Sequence, residues 1–291
     1  MATVSARNAV RATIAAGCFA VAGIAVLRDG RAVQTAGGPT KADSQGVAPA
    51  DQNLNIDYDL DPKQERFVDV IPKSYNGKPG WGLVVYIDSQ DACPALPAGW
   101  EAVLARRKLL GVIPQKAGNE QPVDRRLGLA VLAAQEVMAA HKVDPKRVYA
   151  AGLSGGARIA GMLGFYDPAM FKGTIQSCGA DFYQKVPKVA KRGPDDSPEQ
   201  NYGLIHCTDE EIAAGKAGTR FVFITGTHDF RHAQILDIFH GGYEKAGFNA
   251  RLIDVPGMLH EPCDARQLSS AIDFIEKPPV TTRPTTSPAK R

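Results

Sequence analysis

The sequence predicts an α/β fold, a mostly parallel sheet with helices on both faces. Three observations carry that expectation. Continuous apolar runs of strand length recur, as at Leu109–Pro114 and Arg220–Gly226, and unbroken runs suit strands covered on both faces. Stretches of helix length and composition separate these runs, and that alternation implies a parallel sheet. One passage, "RVYAAGLSGGARIAG" at 147–161, reads strand, turn, helix and sets a serine among glycines.

In chain order, "ERFVDVI" at 65–71 alternates enough to be a strand, which Pro72 ends. "KSYNGKPG" then supplies the Asn-Gly and Pro-Gly chemistry of turns. "LVVYI" at 83–87 is a buried strand, Trp100–Arg107 a helix, and Leu109–Pro114 the next strand. "LGLAVLAAQEVMAAH" at 127–141 has apolar residues at helical spacing and strong helix formers. Asp144-Pro145 closes that connection before a strand at 147–151 and a helix over 157–163. Further strands are expected at 171–179, 220–226 and 250–256, and an amphipathic helix at 264–275. Residues 182–218 are polar, contain prolines and are long for a connection. They are expected to be an insertion over the C-terminal edge of the sheet, where α/β sites lie.

The basic excess is confined to the ends. Residues 1–50 carry five basic and two acidic side chains, and 277–291 carry four basic and none acidic. That leaves 25 of the 34 basic and 29 of the 31 acidic side chains for residues 51–276. No basic stripe remains to suggest nucleic acid.

Arg7 and Arg11 precede an uncharged run at 12–27, "ATIAAGCFAVAGIAVL". A positive start followed by an apolar stretch is the pattern of an export signal. Its 16 residues are short for a membrane span, which needs about 20. Residues 1–27 are therefore read as a signal peptide or, uncleaved, as an N-terminal anchor that would hold an exported protein at a membrane. Residues 28–55 are rich in Gly, Ala and Pro and read as a flexible linker. Residues 56–276 form the folded domain, and the Pro/Thr-rich stretch 277–291 reads as a disordered tail.

The functional question centres on Gly152-Leu153-Ser154-Gly155-Gly156, which fits G-x-S-x-G. In that motif a serine takes strained backbone angles on a turn between strand and helix, and glycines flank it because a Cβ would clash. The rival reading, a dinucleotide-binding turn, is weak: the stretch lies mid-chain and Ala150 stands where its first glycine would be. No H-E-x-x-H or C-x-x-C pattern occurs, so neither metal nor cofactor is expected.

The core resembles the α/β-hydrolase superfamily, and within it secreted serine esterases of the polyhydroxyalkanoate-depolymerase and feruloyl-esterase type. The similar segments are "ERFVDVIPKSY", "GLVVYI", "VDPKRVYAAGLSGGARIAGML", "FVFITGTHDF" and "VPGMLH". The resemblance implies an α/β-hydrolase fold, no cofactor, and a triad in the order nucleophile, acid, histidine. Ser154, Asp229 and His260 match that order, with Asp181 as the alternative acid. It also implies an oxyanion hole built from the N–H of Gly155 and one N–H of the loop after the 83–87 strand.

That loop departs from the family pattern. Asp88-Ser89-Gln90 stands where such enzymes usually carry His-Gly. Gln90 is the donor by position, with Ser89 the alternative, and the Asp88 carboxylate is unfavourable beside a developing negative charge unless paired or turned away. The expected activity is hydrolysis of small or polymeric carboxylic esters. A catalytically weak binding or scaffold protein of the same fold, and a serine peptidase, stand as alternatives. Export would also permit disulfides: Cys178 with Cys207, which would pin the insertion, and Cys93 with Cys263, whose loops are expected to converge on Ser154, with four free thiols as the alternative.

Overall fold

The computed structural model describes residues 3–7, 60–188, 199–200 and 203–277, the two shortest segments as backbone only. The run at 12–27, the linker at 28–55 and the tail beyond residue 277 lie outside the described residues. Among the described residues no helix is long and apolar enough to cross a membrane.

The elements run β1 (Thr3–Arg7), β2 (Phe67–Ile71), β3 (Trp81–Ile87), α1 (Trp100–Arg107), β4 (Leu109–Pro114), α2 (Val123–Ala140), β5 (Val143–Leu153) and α3 (Gly155–Tyr166). They continue β6 (Gly173–Ser177), β7 (Val186–Pro187), β8 (Glu199–Gln200), α4 (Asp209–Gly218), β9 (Arg220–Gly226) and α5 (His232–Ile238). A π-helical turn (Phe239–Glu244), β10 (Ala250–Val255) and α6 (Ala265–Ile275) complete the elements of the described residues. Eight strands form one sheet in the order β1-β2-β4-β3-β5-β6-β9-β10. β1–β2 and β2–β4 pair antiparallel and every other neighbour is parallel. With helices on both faces, this is the α/β-hydrolase architecture.

The alternation of side chains along each strand sorts the core into two layers. Leu83, Val85 and Ile87 of β3 join Val148 and Ala150 of β5 and Phe221 and Phe223 of β9 under α2, α3 and the π-helical turn. Val84, Tyr86, Tyr149, Ala151, Val222 and Ile224 face the opposite way, under Trp100, Val103 and Leu104 of α1 and Leu268, Ala271 and Ile272 of α6. The register then fixes the site. Ile87 lies level with Gly152, Leu153 with Ser177, Ser177 with Ile224 and Gly226 with Val255. The loops beginning at Asp88, Ser154, Cys178, Thr227 and Pro256 therefore leave the sheet along one edge.

Two parts of the fold differ from the sequence reading. Thr3–Arg7 adds an edge strand paired with β2, although the folded domain was expected to begin near residue 56. Residues 209–218, expected within an insertion over the C-terminal edge, are instead α4, which packs on α3. A Cβ built on its Gly215 would sit 3.0 Å from the Gly164 carbonyl oxygen, so glycine allows the two helices their close approach. α4 starts with a reciprocal cap: Thr208 Oγ1 accepts from Glu211 N–H, and Glu211 Oε2 accepts from Thr208 N–H. Among the described residues, the rest of that stretch holds the short β7–β8 pair and the Phe182–Leu204 bridge.

Because the Thr208 cap is exposed, its loss acts on α4 alone. Thr208→Ala is expected to cost about 1 kcal/mol, read as a fall in melting temperature of about 2–4 °C. An unchanged melting temperature would show that α4 is held by packing only.

Candidate active site

The turn at Ser154 is built by its neighbours. Ser154 has φ 55° and ψ −117°, a strained conformation for a residue with a Cβ. Its N–H donates to the Ser177 carbonyl at 2.8 Å. A Cβ on Gly156 would lie 2.0 Å from the Ile87 carbonyl oxygen, and one on Gly152 2.4 Å from the Gly156 carbonyl carbon. Only glycine fits at either position, which is the steric reason for the motif.

Asp229 and His260 are brought together. His260 Nδ1 lies 2.7 Å from Asp229 Oδ1, with the carboxylate side chain fully buried and the imidazole one-fifth exposed. The Arg231 N–H donates to the same Oδ1, and the Thr225 hydroxyl donates to Oδ2 at 2.7 Å. Burial pushes the Asp229 pKa up, but the Arg231 N–H, His260, Thr225 and Cys178 outweigh it and hold the carboxyl below its ordinary value. The ionised form thus stabilises the fold above the unfolded-state carboxyl pKa, and that contribution is lost as pH falls through the lower folded value. With Nδ1 donating to Asp229, the lone pair on Nε2 is left to act as a base. Ser154 shares the sheet edge with this pair but makes no side-chain hydrogen bond to His260, a contact that often tightens only with substrate present.

Asp181, the alternative acid, is committed elsewhere. Arg158 Nε donates to both its carboxylate oxygens at 2.8 Å, and the Tyr243 hydroxyl donates to its carbonyl. Ser177, the other serine at this edge, sits inside β6 and is 1% exposed, with its Oγ accepting from Cys263 N–H. It lacks the exposure and the turn that a nucleophile needs.

In the Asp88–Gln90 loop, the Gln90 N–H donates to Asp88 Oδ1 at 2.9 Å, and the buried Tyr86 hydroxyl donates to Oδ2 at 3.1 Å. The Asp88 carboxylate is thus paired, and it occupies the amide expected to act as an oxyanion donor. Arg126 is 5% exposed, donates through Nε to Ala117 O at 2.7 Å, and lies 3.3 Å from a Cβ built on Gly155. Burial, then the like charge of Arg158, pull its pKa down to about 10 against the attraction of Asp91 and Asp88, so it remains a cation at neutral pH. Asn119 also crowds Gly155, its Oδ1 falling on the space a Cβ would fill. Neither Arg126 nor Asn119 stands in a pattern that sequence reading could single out.

The expected disulfides do not form: Cys93, Cys178, Cys207 and Cys263 are all free thiols. For Cys178 and Cys207 the reason is topological, since Cys178 belongs to the layer under α1 and α6 whereas Cys207 packs on the opposite layer. Cys93 and Cys263 share a layer but have other partners. Cys93 Sγ donates to Ala95 O at 3.3 Å, and burial first raises the Cys263 thiol to about 12. The Cys178 thiol faces Leu259 O, Glu261 O and the Asp229 carboxylate. Its sulfur, Asp229 and His260 lie within 4.8 Å of one another, and are the donor atoms that could surround a soft divalent ion. An ion there would compete with the proton that His260 and Asp229 share. A separate cavity of about 540 Å³ beside Lys73, Pro97 and Glu101 contains none of these groups.

No family model matches the chain, and no curated protein matches it. Solved structures do resemble it. An S-formylglutathione hydrolase from Staphylococcus aureus matches with a TM-score of 0.53 at 13% identity, over 72% of this chain and 92% of that one. A ferulic acid esterase matches at 0.51 and 15%, over 72% and 90%. Est1E from Butyrivibrio proteoclasticus matches at 0.50 and 12%, over 75% and 95%. At such identities the likeness establishes the α/β-hydrolase fold.

The free thiols give a direct check. Alkylating the denatured, unreduced protein should label Cys93, Cys178, Cys207 and Cys263 together. Peptides joined as Cys178–Cys207 or Cys93–Cys263 would contradict the arrangement.

Proposed function

We propose that the protein is a serine hydrolase that cleaves carboxylic esters through an acyl-enzyme on Ser154. One observation carries the reading: the His260–Asp229 hydrogen bond of 2.7 Å sits at the same sheet edge as a serine held at φ 55°. A serine hydroxyl is too weakly acidic to attack an ester unaided. His260 Nε2 takes its proton as Oγ adds to the carbonyl carbon, then returns that proton to the leaving alkoxide. Asp229 fixes the Nδ1–H tautomer and stabilises the imidazolium. Water, activated by the same Nε2, then releases the acid and restores Ser154.

The tetrahedral oxyanion is held by the Gly155 N–H and one amide of the Ser89–Gln90 segment. Gln90 serves only if Asp88 releases it, whereas the Ser89 N–H has no such competitor. The cation of Arg126, beside Gly155, adds favourable charge where the negative oxygen develops. The substrate is a small or polymeric ester, and kinship in activity with feruloyl esterases or polyhydroxyalkanoate depolymerases belongs to this proposal. So do export and anchoring through residues 12–27, which rest on the sequence pattern.

Purified protein should turn over p-nitrophenyl acetate and take a fluorophosphonate label. Ser154→Ala should abolish both, and labelling that persists in that variant would refute the assignment. Asp88→Ala tests the second donor. If Gln90 is the donor, kcat should rise, by at most about the 100- to 1,000-fold that one oxyanion donor typically carries. An unchanged or lower kcat assigns the role to Ser89.

A further inference from the structure

Among the described residues three large hydrophobic side chains are exposed: Val123, Phe230 and Leu259. Single exposed apolar residues are ordinary, but one of these three stacks on the His260 ring and another directly precedes His260 in the chain. Leu259 precedes His260 and is 57% exposed, while Phe230 follows Asp229 and is 71% exposed. The Phe230 ring lies against the His260 ring, with centroids 4.2 Å apart and planes inclined by 30°. The Arg231 guanidinium lies 5.3 Å from the centroid of the same ring, and Arg231 Nη1 donates to Gln234 Oε1, so the aromatic is braced rather than loose. So exposed a ring adds little to the core, and a stacked pair of this kind calls for another explanation.

The chemistry of the site supplies it. If Ser154 is acylated as proposed, His260 Nε2 must come within hydrogen-bonding reach of the departing oxygen, about 3 Å, to return its proton. Whatever is attached to that oxygen then lies beside His260 and the side chains around it. We propose that Phe230 and Leu259 form the leaving-group subsite of this enzyme, and that it accepts a planar aromatic group on the alcohol side of the ester. The exposed part of the Phe230 ring offers such a group the offset or edge-on contact that aromatic pairs prefer. Leu259, one residue before His260, adds exposed aliphatic surface from the same loop. Its position is fixed by the turn in which Glu261 N–H donates to Leu259 O at 2.9 Å. The inference rests on the esterase reading and specifies its alcohol portion.

The test compares benzyl, cyclohexylmethyl and methyl esters of one short acid, using the full chain. The ratio of kcat/KM values between alcohols cancels effects common to all three esters. Phe230→Ala should lower the benzyl-to-methyl ratio roughly tenfold, in keeping with the strength of aromatic pairing, and lower the cyclohexylmethyl-to-methyl ratio much less. Phe230→Leu, which keeps apolar bulk in case the alanine variant folds poorly, should lose the benzyl preference as well. Unchanged ratios in both variants would overturn the subsite. Equal losses for benzyl and cyclohexylmethyl esters would overturn its aromatic character. A wild-type protein that neither turns over these esters nor takes a fluorophosphonate would bring down the esterase reading itself. A labelled, active wild type with unchanged ratios in the variants would bring down the Phe230 assignment alone.

Discussion

The end of β6 is the constraint on which the site depends. Ser177, Cys178 and Gly179 touch every loop that carries a proposed catalytic side chain. The Ser177 carbonyl accepts the Ser154 N–H at 2.8 Å and so holds the nucleophile turn. Its hydroxyl accepts the Cys263 N–H three residues beyond the histidine. The Cys178 N–H donates to Ile224 O on β9, the strand that leads to Asp229. The Cys178 sulfur lies 3.3 Å from the Glu261 carbonyl next to His260. A Cβ on Gly179 would lie 2.1 Å from Ser154 O, so glycine is required for the two turns to meet. Cys178 takes φ 56°, a left-handed turn that steers the chain off the sheet. Small movements here would shift Ser154, Asp229 and His260 together.

Electrostatics at this edge follows from how each carboxylate is paired. Asp229 is fully buried yet keeps its charge, because its two oxygens receive the Arg231 N–H, the His260 ring and the Thr225 hydroxyl. Asp181 is equally buried, and burial raises its pKa against the opposing pull of Arg158. Its guanidinium partner makes it a structural ion pair. Asp88 is half-buried and held by Tyr86 and Gln90. The loop that departs from His-Gly therefore carries a carboxylate that is paired within the loop and faced by the buried cation of Arg126. The fold tolerates negative charge in this loop by binding it, and that pairing occupies the Gln90 amide proposed as an oxyanion donor.

Much of this was legible in the sequence because it rests on local chemistry. The apolar runs gave the strands, and their unbroken character gave a sheet covered on both faces. The glycines around Ser154 announced the turn, and the residue order implied by the family resemblance pointed to His260 with Asp229 or, as the alternative, Asp181; the structure joins His260 to Asp229 by a hydrogen bond. What stayed hidden depends on three-dimensional context. Helix α4 was signposted by Thr208 and Glu211 at capping-box spacing, but the polar composition of 182–218 masked it. The Cys178–Cys207 pairing failed because closeness along the chain says nothing about which face of a sheet a side chain takes. The capture of the Gln90 amide by Asp88, the approach of Arg126 to Gly155, and the stacking of Phe230 on His260 all join residues through tertiary packing. No spacing rule encodes them.

Ser154, Asp229 and His260 are proposed to act as one unit, assembled at the end of β6. That proposal is tested most directly by a crystal structure of the protein inactivated with a small phosphonate ester. The account predicts a covalent bond from Ser154 Oγ to phosphorus. One phosphonyl oxygen should lie within about 3 Å of the Gly155 N–H, with His260 Nε2 facing the serine oxygen and Nδ1 still on Asp229. Phosphorus bonded to another residue, or an imidazole detached from Asp229 and turned away from the adduct, would contradict it.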